Sequence, residues 1–408
     1  MISIEQALEL VGGAIAPLPS ATIQLSNSVA THLACAVHAD VDSPPHNKSV
    51  MDGFAVRAID IKPKATFDVL ETIIAGNTPT QTVTAGTASQ IMTGAPLPEG
   101  ADAVVMVEKC HVDEVDGNRT VTFDLDSIEP GKHTMPRAAS FANGDVIFPA
   151  GHQIRPLDIG LLAEVGAHTV QVLPRPTAAV IPTGNELVDC SQKPGPGQIR
   201  NSNGPMLVQL LRSLGAEVDY SGIARDDEGD LRAKIQRGLE NDLLVLSGGV
   251  SAGTMDLVPK ILQQCGVKEV FHKVKVKPGK PIWFGVRESA DRKNYVFGLP
   301  GNPVSSLVGF HLFVRAALNR MAGAEDLNPK TVRAKISKSH QARGDRPTWW
   351  PGCWIDSQSC ERIVEPLAWK GSSDLRALGQ AEVLIYFPAD QGEFSVGQEV
   401  QVSRLPNC

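Results

Sequence analysis

Apolar positions in the first fifteen residues recur at helical spacing. Ile4, Ala7, Leu8 and Val11 share one face of a helix that Ser3 caps, with Gln6 reaching back to it. From there to about residue 175 the pattern changes to short β-like runs cut by Gly and Pro: FDVLETIIAG (67–76), ADAVVMVE (101–108), DVIFPAG (145–151) and HTVQVL (168–173). One helix, around 156–165, interrupts them, so this part reads as β-rich.

Residues 175–322 alternate differently. TAAVIPTG (177–184), DLLVLSGG (242–249), FHKVKVKPGKP (271–281) and YVFGLPGNP (295–303) read as strands running into turns. NSNGPMLVQLLRSLGAEV (201–218) reads as a capped helix with Met206, Leu207, Leu210, Leu211 and Leu214 inward, closed by Gly215. TMDLVPKILQQCG (254–266) is a second helix, and a third starts at Asn302–Pro303 and runs to about 322. Strand–helix alternation of this length predicts a central parallel-sheet α/β domain covered on both faces. After about 325, EVLIYF (382–387) and QEVQV (398–402) announce a small barrel or sandwich. The fold class is multidomain α/β plus β.

Composition narrows the function classes. The 408 residues are 42% hydrophobic and 20% charged, enough to bury a core in two to four domains of roughly 150 residues each. With 37 glycines, 29 prolines and only 5% aromatics, many short strands and loops are favoured over a helical bundle. A net charge of −7 argues against sequence-independent nucleic-acid binding. No apolar run reaches the roughly 18 residues of a membrane span, and MISIEQALELVGG lacks the basic and apolar regions of a signal peptide. Seven scattered cysteines without a C-x-x-C pair support neither a disulfide framework nor a zinc site. A cytoplasmic protein is expected.

Ligands of open α/β sheets bind beyond the carboxyl ends of the strands. Four successive ends here carry special loops: PTGNE (182–186), SGGVSAGTMD (247–256), KPGKP (277–281) and LPGNP (299–303). Ser247, Gly248, Gly249, Ser251 and Gly253 offer backbone amides for an anion, as do Pro300, Gly301 and Asn302 at the next helix start. Lys273, Lys275 and Lys277 alternate with valines, which on a strand puts all three on one face, and Lys280 follows in the turn. A solvated face is the ordinary meaning of such a run; the Pro-Gly turn favours phosphate contact. Glu186, Asp226, Asp227 and Asp256 share these loops and suit Mg²⁺, although Asp256 would equally complement a helix dipole and Asp226 and Asp227 a solvated loop.

In the N-terminal half, SVMDGFAV (49–56) reads as a hairpin about Asp52–Gly53. In IMTGAPLPEGADAVV (91–105), Thr93 is placed to donate to an anion or cap a turn. No serine sits in a G-x-S-x-G elbow. Together S-x-MDG-F-A (49–55), MTGAP-x-P-x-GADAVV (92–105), TG-N-E-L (183–187), SGGVS-x-G-x-x-D (247–256), KPGKP (277–281) and LPGNPVS (299–305) resemble the molybdopterin molybdenumtransferase family, the MoeA type also seen as the C-terminal domain of gephyrin.

The resemblance runs along nearly the whole chain. It implies a linking region (1–45 and 141–175), a β-rich inserted domain (46–140), an α/β molybdopterin-binding-like domain (176–325) and a C-terminal β-barrel (326–408). It implies a homodimer that inserts molybdate into adenylylated molybdopterin, releasing AMP with Mg²⁺, and other proteins of molybdenum cofactor biosynthesis as partners. Carried over by position, Asp52 and Thr93 come from the partner subunit. Glu186, Asp226 or Asp227, Asp256, Lys273 and Lys277 line the α/β rim, with Glu186 and Asp256 as metal ligands. Arg346 and Ser372 are the C-terminal contributions. Two departures stand out: Met135-Pro136-Arg137-Ala138-Ala139-Ser140 replaces the family's Arg-x-x-Gly-x-Asp, and Asn185 replaces an Asp. Two rival readings are a pterin-binding scaffold without turnover and an adenylyltransferase-like enzyme. The second usually carries a T-x-GG-T-G-x-x-x-x-D loop in place of SGGVSAGTMD.

Overall fold

The structure is a computed structural model and describes residues 1–250, 257–289, 292–342, 344–356 and 361–406. The chain forms two compact units. One comprises Met1–Ile23, Asn27–Ala34 and Gln171–Cys408, the other Gln24–Ser26 and Cys35–Val170.

The first unit is organised by a six-stranded sheet. Strands Glu217–Tyr220, Thr177–Pro182, Leu243–Ser247 and Lys293–Leu299 lie parallel and side by side, followed by Trp283–Glu288 and then Lys268–His272. The sheet is therefore parallel in its four strands from Glu217–Tyr220 to Lys293–Leu299, as expected, with two antiparallel strands added at one edge. Trp283–Glu288 runs antiparallel to Lys293–Leu299 because only a few residues join them, too few for a crossover helix. Alternate residues bury on opposite faces. Ala178, Val180, Leu243 and Val245 join one core with helix Ile4–Ala14 and helix Asn203–Ser213, whereas Ala179, Ile181, Leu244 and Leu246 join another with helices Glu228–Gly238 and Leu257–Gln264. The first helix has the expected capping box of Ser3 and Gln6 and buries the expected four residues.

Helix Pro303–Gly309 passes through a π-helical turn, Phe310–Val314, into helix Arg315–Met321. The chain then closes a five-stranded barrel from Thr331–Ile336, Ile363–Pro366, Thr348–Ile355, Val383–Phe387 and Glu399–Arg404. Among the described residues no helix is long and apolar enough to cross a membrane.

The lysine-bearing stretch departs from its expected strand. The strand ends at His272, and Lys273 adopts φ +73°, a left-handed conformation that breaks the alternation. Residues further on pair elsewhere: Lys277 N–H donates to Pro347 O at 2.9 Å and Trp349 N–H to Lys277 O at 2.8 Å, so the stretch joins the start of a barrel strand. Lys273, Lys275 and Lys277 thus do not share one strand face.

The second unit holds another six-stranded sheet, in the order Ala103–Met106, Gly53–Val56, Thr87–Ile91, Thr66–Ile73, Asn118–Phe123, Cys110–Val115. Asp52–Gly53 is not a hairpin: Lys48–Ser49 pairs with Thr134–Met135, while Gly53–Val56 pairs with Thr87–Ile91 and Ala103–Met106. Gly53 is required by close approach, since a Cβ there would lie 1.9 Å from Val105 O.

Candidate active site

The carboxyl ends of the sheet open into a cavity of about 740 Å³. Its wall includes Thr183 and Glu186 after the first strand, Asp226 from the neighbouring loop, Ser247–Val250, and Pro300–Pro303. The loops are cross-braced. Asn185 N–H donates to Asp226 Oδ2 at 3.2 Å, and Asp226 N–H donates back to Asn185 Oδ1 at 3.1 Å, so Asn185 does a structural job that its side-chain amide satisfies. Asp226 and Asp227 separate here: Asp226 lines the cavity, whereas Asp227 caps helix Glu228–Gly238 by accepting from Asp230 N–H at 2.9 Å.

Gly248 and Gly249 are fixed by backbone geometry. Their φ values are +97° and +65°, and a Cβ on Gly248 would meet Thr183 O at 2.6 Å. Gly248 N–H donates to Leu299 O, so that amide is not among the free donors of an anion nest. At the other loop, Val304 N–H donates to Ser372 O at 3.0 Å, and Asn302 Nδ2 donates to Ser372 Oγ at 2.9 Å instead of capping its helix. Ser251, Gly253 and Asp256 lie outside the described residues.

Beneath the cavity runs an ordered hydrogen-bond chain. Ser306 Oγ donates to Pro300 O, so it accepts from Ser247 Oγ, which in turn accepts from Asn203 Nδ2 at 2.8 Å. The other Asn203 amide proton goes to Gly301 O at 2.7 Å. Asn203 Oδ1 and Thr183 Oγ1 are buried without a partner among the described residues. Such orphaned groups are uncommon away from functional sites.

A second cavity, about 480 Å³, adjoins the first at Pro281. Lys277, Lys280 and Arg346 bring positive charge, Ser305 and Ser372 bring hydroxyls, and Trp350 and Trp369 form an aromatic wall. Arg346 Nη1 donates to Val276 O at 3.0 Å, which ties the barrel to the lysine loop. Ser372 lines this cavity while Ser373, next in sequence, lines the larger one. Lys273 lines neither.

Asp52 and Thr93 meet in the second unit. Thr93 N–H and Oγ1 both donate to Asp52 Oδ1, at 2.6 and 2.7 Å, and the Thr93 amide, then its hydroxyl, hold this carboxyl below its usual range. Arg137, in the altered segment, pairs with Asp42, and Ala138 adopts φ +60° at the position where the family pattern has Gly.

Arg200, Asn203, Trp350 and Trp369 escape a sequence reading, whereas Thr183 and Ser305 lie within motifs it singles out without being named as site residues. One usable signal existed. Four of the five tryptophans follow residue 345 in an aromatic-poor chain, and two of them wall the smaller cavity.

Comparison with known proteins decides the family. Three family models match in order: the MoeA N-terminal region (domain I and II) over residues 2–166, a probable molybdopterin binding domain over 179–320, and the MoeA C-terminal region (domain IV) over 333–405. The chain is 32% identical over 410 residues to a molybdopterin molybdenumtransferase of Staphylococcus aureus (strain MRSA252), a match spanning 98% of this chain and 95% of that one. The chain belongs to the molybdopterin molybdenumtransferase family. Within that family, two structures of MoeA from Pyrococcus horikoshii match with TM-scores of 0.83 and 0.80. Their identities are 28% and 26%, and the matches cover 100% and 99% of this chain and 100% of each of theirs. Family membership extends through both β-rich regions, which an adenylyltransferase built on the α/β domain alone would not need.

Proposed function

We propose that this chain is a transferase that inserts molybdate into the dithiolene of adenylylated molybdopterin, with release of AMP in a Mg²⁺-dependent step. The observation that carries the reading is the junction of two unlike cavities at Pro281. The larger, with glycine loops, two carboxylates and buried amide and hydroxyl groups, suits the nucleotide-bearing pterin. The smaller, with Lys277, Lys280 and Arg346 beside two hydroxyls, suits a tetrahedral dianion.

The chain's own groups divide the work. Lys277, Lys280 and Arg346 hold the dianionic oxyanion, with Ser305 and Ser372 as further donors, and the oxygen that the dithiolene sulfurs displace leaves as water with the two thiol protons. Glu186, called as a metal ligand from the resemblance, would hold Mg²⁺ with Asp226 on the same wall, while Asp256, the other ligand called, lies outside the described residues. Among the described residues no group of three or more His, Cys, Asp or Glu could enclose a metal, and an open pair of hard carboxylates fits an ion that completes its shell with phosphates and water. When bound, Mg²⁺ supplies Lewis-acid neutralisation of the phosphates. Asp52, kept ionised by Thr93, is assigned to the site of a second copy in a homodimer. A cytoplasmic dimer that exchanges its pterin with other cofactor-biosynthesis proteins completes the proposal.

The test is AMP release from adenylylated molybdopterin by purified protein with Mg²⁺, with and without molybdate. Molybdate-dependent release together with formation of molybdenum cofactor is the expected result. Tight pterin binding without AMP release would overturn it in favour of a scaffold that has lost turnover.

A further inference from the structure

The larger cavity has a charge problem that its glycine loops do not solve. Two carboxylates, Glu186 and Asp226, line it; a Mg²⁺ held by them would offset only their own charge, and a ligand bearing phosphates brings further negative charge. Among the described lining residues the single cationic side chain is Arg200. Neither lysine of the smaller cavity lines the larger one.

Arg200 is mounted for contact with a ligand. It lies on strand Ile199–Arg200, which pairs parallel with Leu187–Val188, and Ile199 N–H donates to Glu186 O at 2.8 Å. The cation and the carboxylate-bearing segment are therefore held in one ribbon. Arg200 Nε donates to Gln192 O at 3.0 Å. The loop behind it is braced locally: Gln192 N–H donates to Asp189 O, and Asp189 Oδ1 accepts from both Ser191 N–H and Ser191 Oγ. With Nε engaged, the Nη1 and Nη2 groups of this cavity-lining guanidinium form an ion pair with no carboxylate among the described residues. The edge they form carries the two parallel N–H groups that match two oxygens of a phosphate. Anchoring through Nε lowers the ordering cost of using it.

We propose that Arg200 is the phosphate-contacting cation of the larger cavity, gripping the phosphate of an adenylylated ligand through its Nη1–Nη2 edge. The inference rests on the proposed use of this cavity and adds the residue that fixes the ligand's phosphate. A purely structural Arg200 would only tie the 189–198 loop, and it would act alike on ligands with and without phosphate.

The experiment measures binding of AMP and of adenosine to the full-length protein with Mg²⁺, by calorimetry, for the wild type, Arg200→Lys and Arg200→Gln. Expected is a loss of AMP affinity of roughly tenfold or more in Arg200→Gln, with adenosine affinity unchanged. Arg200→Lys should keep part of it, because a point charge replaces a fork. Wild-type AMP binding should also weaken as salt rises, and this dependence should flatten in Arg200→Gln. Equal losses for AMP and adenosine, or unchanged AMP affinity, would overturn the role of Arg200 while leaving the cavity's assignment intact. Absence of AMP binding by the wild type would overturn the cavity's assignment and this inference together.

Discussion

Ala138 occupies a backbone conformation that disfavours a Cβ. Its φ of +60° lies in the left-handed region, where a non-glycine residue carries roughly 1–2 kcal/mol of steric cost. The pattern of the resembled family has Gly at this position, and here a non-glycine residue holds a left-handed turn. Ala138 N–H donates to Pro44 O and Ser140 N–H to Ser43 O. Ala138→Gly should therefore raise the stability of this unit by about 0.5–1 kcal/mol, part of the relieved strain being offset by the larger unfolded-state entropy of glycine. Urea denaturation followed in the second unit measures it. A variant less stable than the parent would show that the left-handed turn is not strained. The sequence reveals the missing glycine but not the left-handed conformation of Ala138, because a conformation held by neighbouring carbonyls leaves no trace in composition. Arg200 and Asn203 were similarly illegible. Their roles depend on which cavity wall the fold turns them toward, whereas Gly248 and Gly249 announce themselves through a conformation few other residues adopt.

The π-helical turn Phe310–Val314 carries a buried titratable group at the level of the element. His311 Nε2 lies 2.8 Å from Ser403 Oγ, and Ser403 Oγ donates its own proton to Lys330 O, so the imidazole is neutral and protonated at Nε2. Its Nδ1 is buried without a partner among the described residues, and burial, aided by the Arg315 charge, pushes its pKa down to about 3. The unfolded chain titrates near 6.5, so between those values it binds a proton that the native state refuses. The stabilisation is complete above the unfolded pKa and falls as pH drops toward 3, by about 2 kcal/mol at pH 5. Urea titrations at pH 8 and pH 5 should show this loss in the wild type and a smaller one in His311→Gln, which retains a donor for Ser403. Identical slopes in both proteins would remove His311 as the cause. Elements with a local rule were readable in advance, among them the capping box of the first helix and Pro303 opening its helix. The lysine strand was not. V-K-V-K is a sound local β pattern, but Lys277 finds barrel partners some seventy residues later in the chain, and that competition is invisible at short range.

For the whole molecule, the arrangement of functional groups over two compact units yields a test of assembly. Lys277, Lys280, Arg346 and the two cavities belong to one unit, and the Asp52–Thr93 pair to the other. If a second copy supplies Asp52, then Asp52→Ala and Lys277→Ala inactivate in a complementary way. Either variant alone should lose molybdate-dependent AMP release while keeping its fold by circular dichroism. Unfolded and refolded together, the two chains form mixed dimers in which one site carries both lesions and the other carries neither. A twofold dimer with random pairing then recovers about a quarter of wild-type activity. If each site were built within a single chain, every chain in the mixture would carry a lesion and activity would stay at the level of the single variants. Full activity in either single variant would remove that residue from the site.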